Sequence, residues 1–132
     1  RVLFAASSGQ LLKGLDLVLE AASLLPDCEF TICSSFLKER NFCKEYWREL
    51  FLQTNVLPLG WLPPYSEVFQ EVVANHDFYV LPSCSESCSG TVIHLSASGL
   101  IPIVTKSTGI DVSEFGFWIE DISPQGVADV AS

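Results

Sequence analysis

The residues best placed to do chemistry gather in one loop. Leu81-Pro82-Ser83-Cys84-Ser85-Glu86-Ser87-Cys88-Ser89-Gly90-Thr91 follows a short apolar run and precedes a helix-like run that stops at Gly99. A strand ends, a loop of small residues turns, and a helix begins. Backbone N–H groups left free at a helix start attract anions. Open α/β sheets bind ligands in loops at the carboxyl ends of their strands. Apart from Asp77, Glu86 is the only charged residue between His76 and Lys106. Its carboxylate can accept hydrogen bonds from a hydroxylated ligand, or it can decorate a turn. Cys84, Cys88 and His94 are spaced C-x3-C-x5-H. A structural zinc site wants a fourth ligand and shorter paired spacings, so no metal is expected. His94 sits among apolar residues and reads as a partly buried structural histidine. His76 reads as a loop residue, and no spacing selects a Ser-His-Asp arrangement.

A second candidate lies near the start. Ser7-Ser8-Gly9-Gln10 joins the first predicted strand to the first predicted helix, where Rossmann folds place a phosphate loop. Neither G-x-G-x-x-G nor G-x-x-x-x-G-K-[ST] is present, which argues against nucleotide binding of those two kinds. Lys13 follows. It is either a cation for a diphosphate or a solvated helix lysine, and the local sequence leaves both open.

The elements that must position these residues alternate. Apolar runs at 2–6, 30–33, 56–59, 77–81, 101–104 and 117–119 read as strands, the continuous ones as buried and parallel. Pro58 places its strand at an edge, because proline cannot donate to a ladder. Helices are expected at 11–25, 37–53, 65–75 and 91–98, with a last one opening at Ser123-Pro124. In 11–25 the polar positions Lys13, Asp16, Glu20 and Ser23 form one stripe. In 37–53, Cys43, Tyr46, Trp47, Leu50 and Phe51 are expected inward. The cations Lys38, Arg40, Lys44 and Arg48, interleaved with Glu39, Glu45 and Glu49, read as a solvated face. In 65–75 the apolar face is Tyr65, Val68, Phe69, Val72 and Val73. The sum is an α/β domain, a Rossmann-like parallel sheet with helices on both faces. Strand order is not legible.

The 132 residues fit one domain. The chain opens inside a strand and closes inside a helix, so 1–132 reads as a fragment of a longer protein. Its net charge of −9, from 16 acidic and 7 basic residues, argues against a nucleic-acid partner. No apolar run approaches the ~20 residues of a membrane span. Five cysteines at irregular spacing suit a reducing, cytoplasmic setting better than a disulfide framework.

Taken together, the pieces resemble the C-terminal, donor-binding domain of retaining "group 1" glycosyltransferases, a family-4-like half of the GT-B fold. The resemblance runs through Lys13-Gly14-Leu15-Asp16, Asn55-Val56 with Leu59-Gly60-Trp61, and Asp77 to Ser83. It is strongest from Glu86 to Val104, and Thr108-Gly109 and Phe115-Gly116-Phe117 follow. It implies a nucleotide-diphosphate sugar as donor, with no further cofactor and no metal. Lys13 would contact the diphosphate and Glu86 the sugar hydroxyls, as the catalytic pair. The backbone around Cys88, Ser89, Gly90 and Thr91 would face the phosphates, as would the Ser8-Gly9 turn.

Three departures stand out. Ser8 occupies the place of a family arginine, and His94 that of a ribose-binding glutamate. Glu86-Ser87-Cys88-Ser89 replaces Glu-Gly-aromatic-Gly. Histidine cannot accept two hydrogen bonds as a carboxylate does, and a β-carbon in place of glycine limits backbone approach to phosphate. Lys106, after the fifth strand on the same edge, is the candidate replacement for the lost charge. A glycan or lipid-linked acceptor would bind through an N-terminal domain absent here. Such enzymes often build surface polysaccharide or glycolipid, at the inner membrane face through other parts of the protein. Two alternatives remain: a degenerate relative with a binding or assembly role, and a sugar-nucleotide epimerase on the same half-fold.

Overall fold

The computed structural model describes residues 1–6, 9–63, 66–83, 90–105, 116–120 and 124–131. Among the described residues six parallel strands form one sheet: β1 (Val2–Ala5), β2 (Phe30–Cys33), β3 (Val56–Pro58), β4 (Phe78–Leu81), β5 (Ile101–Val104) and β6 (Phe117–Trp118), in the order β3-β2-β1-β4-β5-β6. β1 and β2 are buried along their whole length, as their unbroken apolar runs require. β3 is an edge strand. Pro58 lies opposite Ile32, and the ladder closes on the next residue, where the Leu59 amide donates to the Ile32 carbonyl at 2.9 Å. Proline is tolerated there because it owes no hydrogen bond to a further strand.

The helices are α1 (Gln10–Lys13), α2 (Leu15–Leu24), α3 (Arg40–Glu45), α4 (Glu67–Ala74), α5 (Gly90–Ala97) and α6 (Pro124–Ala131). Leu15, Val18, Leu19, Ala21 and Ala22 of α2 are fully buried against the sheet, with α6 packed alongside. α4 opens on Ser66, whose hydroxyl accepts from the Phe69 amide at 3.2 Å. The winding reverses between β1 and β4, which carries α4 and α5 to the opposite face from α2. There His94 of α5 stacks on Phe69 of α4, ring centroids 6.4 Å apart.

Two helices and one packed face differ from the sequence expectation. The helix over 11–25 is two helices, broken at Gly14. The helix over 37–53 is a 3-10 turn (Phe36–Lys38), α3, and a π-helical turn (Arg48–Leu52). Three different pitches rotate the inward stripe, so Trp47, expected inward, is 54% exposed, while Phe36 and Phe42 are buried. In α4 the core takes Phe69 and Val73, and Val68 is left 56% exposed.

Candidate functional site

A sheet wound in two directions opens a crevice where the direction changes, at the carboxyl ends of the two strands that flank the change. Here those strands are β1 and β4, direct neighbours with Val2 opposite Phe78 and Leu3 opposite Tyr79. Two connections start there: the one carrying Lys13 after β1, and the one after β4, of which Pro82 and Ser83 are described.

Gly14 locks the first to the second. It caps α1 and opens α2 at φ 83° and ψ 21°. A β-carbon there would lie 2.2 Å from the Pro82 carbonyl oxygen and 2.6 Å from the Pro82 ring. Only glycine combines that backbone with that proximity. Lys13, the last residue of α1, is thus the residue immediately before the one docked on Pro82. The neighbouring strand end is fastened too. The Thr105 hydroxyl donates to the Ser83 carbonyl at 2.6 Å, both residues being buried. Thr105 is the residue before Lys106. Gly90 and Thr91 open α5 on the same edge. Ser8, Cys84, Glu86, Cys88, Ser89 and Lys106 lie outside the described residues.

One residue at this edge departs from the sequence expectation. Glu39, assigned to a solvated face, turns inward across the edge. Its carboxylate accepts from the Gly9 and Gln10 amides at 3.1 Å each and from the Gln10 side-chain amide at 2.8 Å. Gly9 holds a left-handed conformation, φ 73° and ψ 57°. A cleft of about 940 Å³ opens beside it, lined among others by Gly9, Leu11, Glu39, Arg40 and Tyr46. Burial first, then the nearby Glu20, Asp16, Glu45 and Glu49 carboxylates, push the Tyr46 phenol up to about 12. Burial likewise raises the Asp16 carboxyl in the first turn of α2. No group of three or more metal-ligating side chains occurs among the described residues.

His76 lies in the connection between α4 and β4, as expected, and is hydrogen-bonded there. Its ring bridges the Val72 carbonyl and the Thr31 hydroxyl, pinning the end of α4 to β2. Burial, the largest effect, pulls the ring below its usual 6.5, against the Val72 bond, which works the other way. His94 stacks on Phe69 and is half-buried, in line with the structural reading.

The family model for group 1 glycosyl transferases matches residues 1–131. The chain belongs to the group 1 glycosyltransferases. Solved structures with the same fold include the C-terminal domain of LpcC, a group 1 glycosyl transferase from Francisella tularensis (TM-score 0.73, 19% identity, 97% of this chain and 71% of that one). HepE of Anabaena, solved with UDP and glucose, superposes with a TM-score of 0.81 at 16% identity. A glycosyltransferase from Rickettsia africae does so at 0.79 and 19%. No curated protein matches by sequence. This glycosyltransferase chain spans 36% of HepE and 35% of the Rickettsia protein. It has the fold of one Rossmann-like half of a GT-B enzyme.

Proposed function

We propose that this glycosyltransferase domain binds a nucleotide-diphosphate sugar at the β1/β4 crevice, and that the whole protein transfers the sugar to a glycan or lipid-linked acceptor with retention of configuration. The observation that carries the reading is the docking of Lys13-Gly14 on Pro82. It sets the one cation of α1 beside the strand end from which the Glu86 loop leaves. UDP and UDP-glucose are bound by HepE, a structural relative. They are the first donors to try.

In this reading the bond from the anomeric carbon to the diphosphate oxygen breaks. The negative charge that develops on the leaving diphosphate is met by Lys13 and by the N–H groups that open α5, which are fixed before reaction and need no reorganisation. Glu86 accepts hydrogen bonds from the sugar hydroxyls. Lys106 adds charge on the same edge. No metal ion is required by this scheme, so activity unchanged by EDTA is expected. The acceptor binds to the remainder of the protein, and the setting is cytoplasmic, at the inner face of a membrane where the acceptor is a lipid. Among the described residues no helix is long and apolar enough to cross a bilayer.

A second reading, a degenerate relative kept for binding or assembly, draws on two observations. His94 lies on Phe69, where the family places a ribose-binding glutamate, and the Gly9 amide is held by Glu39. Sugar transfer by the complete protein that disappears in Glu86→Ala and Lys13→Ala would eliminate this reading. The test of the donor site itself is a ligand-observed NMR titration against UDP, GDP, dTDP, ADP and CMP. One nucleoside diphosphate should bind, and tenfold more weakly in Lys13→Ala. Equal binding by wild type and Lys13→Ala would refute the assignment.

A further inference from the structure

We infer that Glu39 is a positioning residue for the donor site: it sets the place of Lys13 by anchoring the turn before α1. This inference rests on the donor reading above. The path is short and made of hydrogen bonds. Glu39, at the end of the 3-10 turn after β2, accepts from the Gly9 amide at 3.1 Å. The Gly9 carbonyl accepts from the Lys13 amide at 2.9 Å. The second carboxylate contact, to the Gln10 amide, and the third, to the Gln10 side chain, fix the first residue of the same single-turn helix. At its far end that turn is stopped by Gly14 against Pro82. α1 is thus clamped at both ends. Pro82 sets its distance from β4, and Glu39 sets its tilt towards β2.

A helix of four residues does not hold itself, because one turn cannot repay the cost of its own nucleation. Hydrogen bonds in which one partner is ionised are about twice as strong as neutral ones, so a carboxylate is the fitting side chain for this end. Its bonds come from a loop some thirty residues away in sequence, and so couple two carboxyl-edge connections that the sheet alone leaves independent. Glu39 itself carries a negative charge, which makes it a poor direct contact for a diphosphate. Its contribution acts through Lys13.

The sign of the effect distinguishes the roles. If Glu39 merely adds negative charge near the site, its removal strengthens nucleotide binding. If it positions Lys13, its removal weakens it. The experiment is a double-mutant cycle with UDP in the NMR titration, alongside amide hydrogen exchange of Gly9, Gln10 and Lys13. Glu39→Gln should lower UDP affinity about fivefold and speed exchange at those amides about tenfold, with exchange in β1 unchanged. Combined with Lys13→Ala, it should cost little more, since the two act through one interaction. Glu39→Asp, which keeps the charge but is a methylene shorter, should lose affinity as well and serves if the Gln variant fails to fold. Unchanged or tighter binding in Glu39→Gln, or losses fully additive with Lys13→Ala, would overturn the role and leave the donor site standing. A wild-type chain that binds none of the diphosphates would remove both.

Discussion

Gly14 shows how much of a site can hang on a missing side chain. Its neighbours Lys13 and Asp16 are the residues that draw the eye, yet it is Gly14 that lets the chain pass over the Pro82 carbonyl. Replacing it with alanine imposes two costs at once. A left-handed backbone costs a residue bearing a β-carbon roughly 1–2 kcal/mol. The β-carbon would also lie 2.2 Å from a backbone oxygen, a contact that only movement of α1 or β4 can relieve. Gly14→Ala should therefore lose about 3 kcal/mol of stability, at the upper end of the usual range for single substitutions. A urea melt measures it, and a loss below about 1 kcal/mol would mean that α1 lifts freely off β4, against the clamping argued above. Gly60, with the same φ of 83° and nothing within 4 Å of its notional β-carbon, is the internal control. There alanine should cost only the backbone part.

At the scale of elements, the joints between secondary structures are made by polar side chains that the sequence does not advertise. Asn55, just before β3, is the clearest. Its side-chain amide nitrogen donates to the carbonyls of Ala22, Leu25 and Cys28 at 2.9, 3.0 and 3.1 Å, and its oxygen accepts from the Gln53 side chain at 2.8 Å. One amide thus joins the C-terminal end of α2 to the entry of β3. Asn55→Ala leaves those carbonyls without this donor, and about 2 kcal/mol should be lost, since unmade bonds at part-buried groups cost roughly 1–3 kcal/mol. Asn55→Asp should do as badly, because a carboxylate offers those carbonyls no N–H; wild-type stability in Asn55→Asp would show the bonds to be incidental. The strands and the edge place of β3 were legible because burial writes itself as apolar runs and proline refuses a ladder. The break at Gly14, the inward turn of Glu39 and the His76–Thr31 bridge were not. Each depends on a partner distant in sequence, and a charge pattern such as that of 37–53 looks the same whether glutamate faces water or a helix start. For the site, the meeting of the Lys13-Gly14 turn with Pro82 follows from strand order, which one sequence does not contain.

For the whole molecule the question is how much of a donor site one sheet can make. Binding pockets for small molecules typically enclose ~70–90% of the ligand surface. The carboxyl edge of this sheet offers a single wall, and the chain spans 36% of the length of HepE. The chain also carries a net charge of −9, which opposes an anionic nucleotide everywhere except near its few local cations. On the proposed function, the 132-residue chain alone should bind UDP or its fellow diphosphates with a Kd of order 1 mM, near 4 kcal/mol. On the same proposal, a longer form of the protein that closes a second wall over the ligand should bind at least tenfold more tightly, a gain of ~1.4 kcal/mol. Isothermal titration of both forms with the same nucleotide decides it. Equal affinities would locate all of the donor's binding energy in this sheet edge and restrict the rest of the protein to the acceptor. A tighter longer form whose advantage survives Lys13→Ala would locate the gain in the second wall. Loss of the advantage in Lys13→Ala would mean instead that the two walls grip the donor cooperatively, through the diphosphate that Lys13 holds.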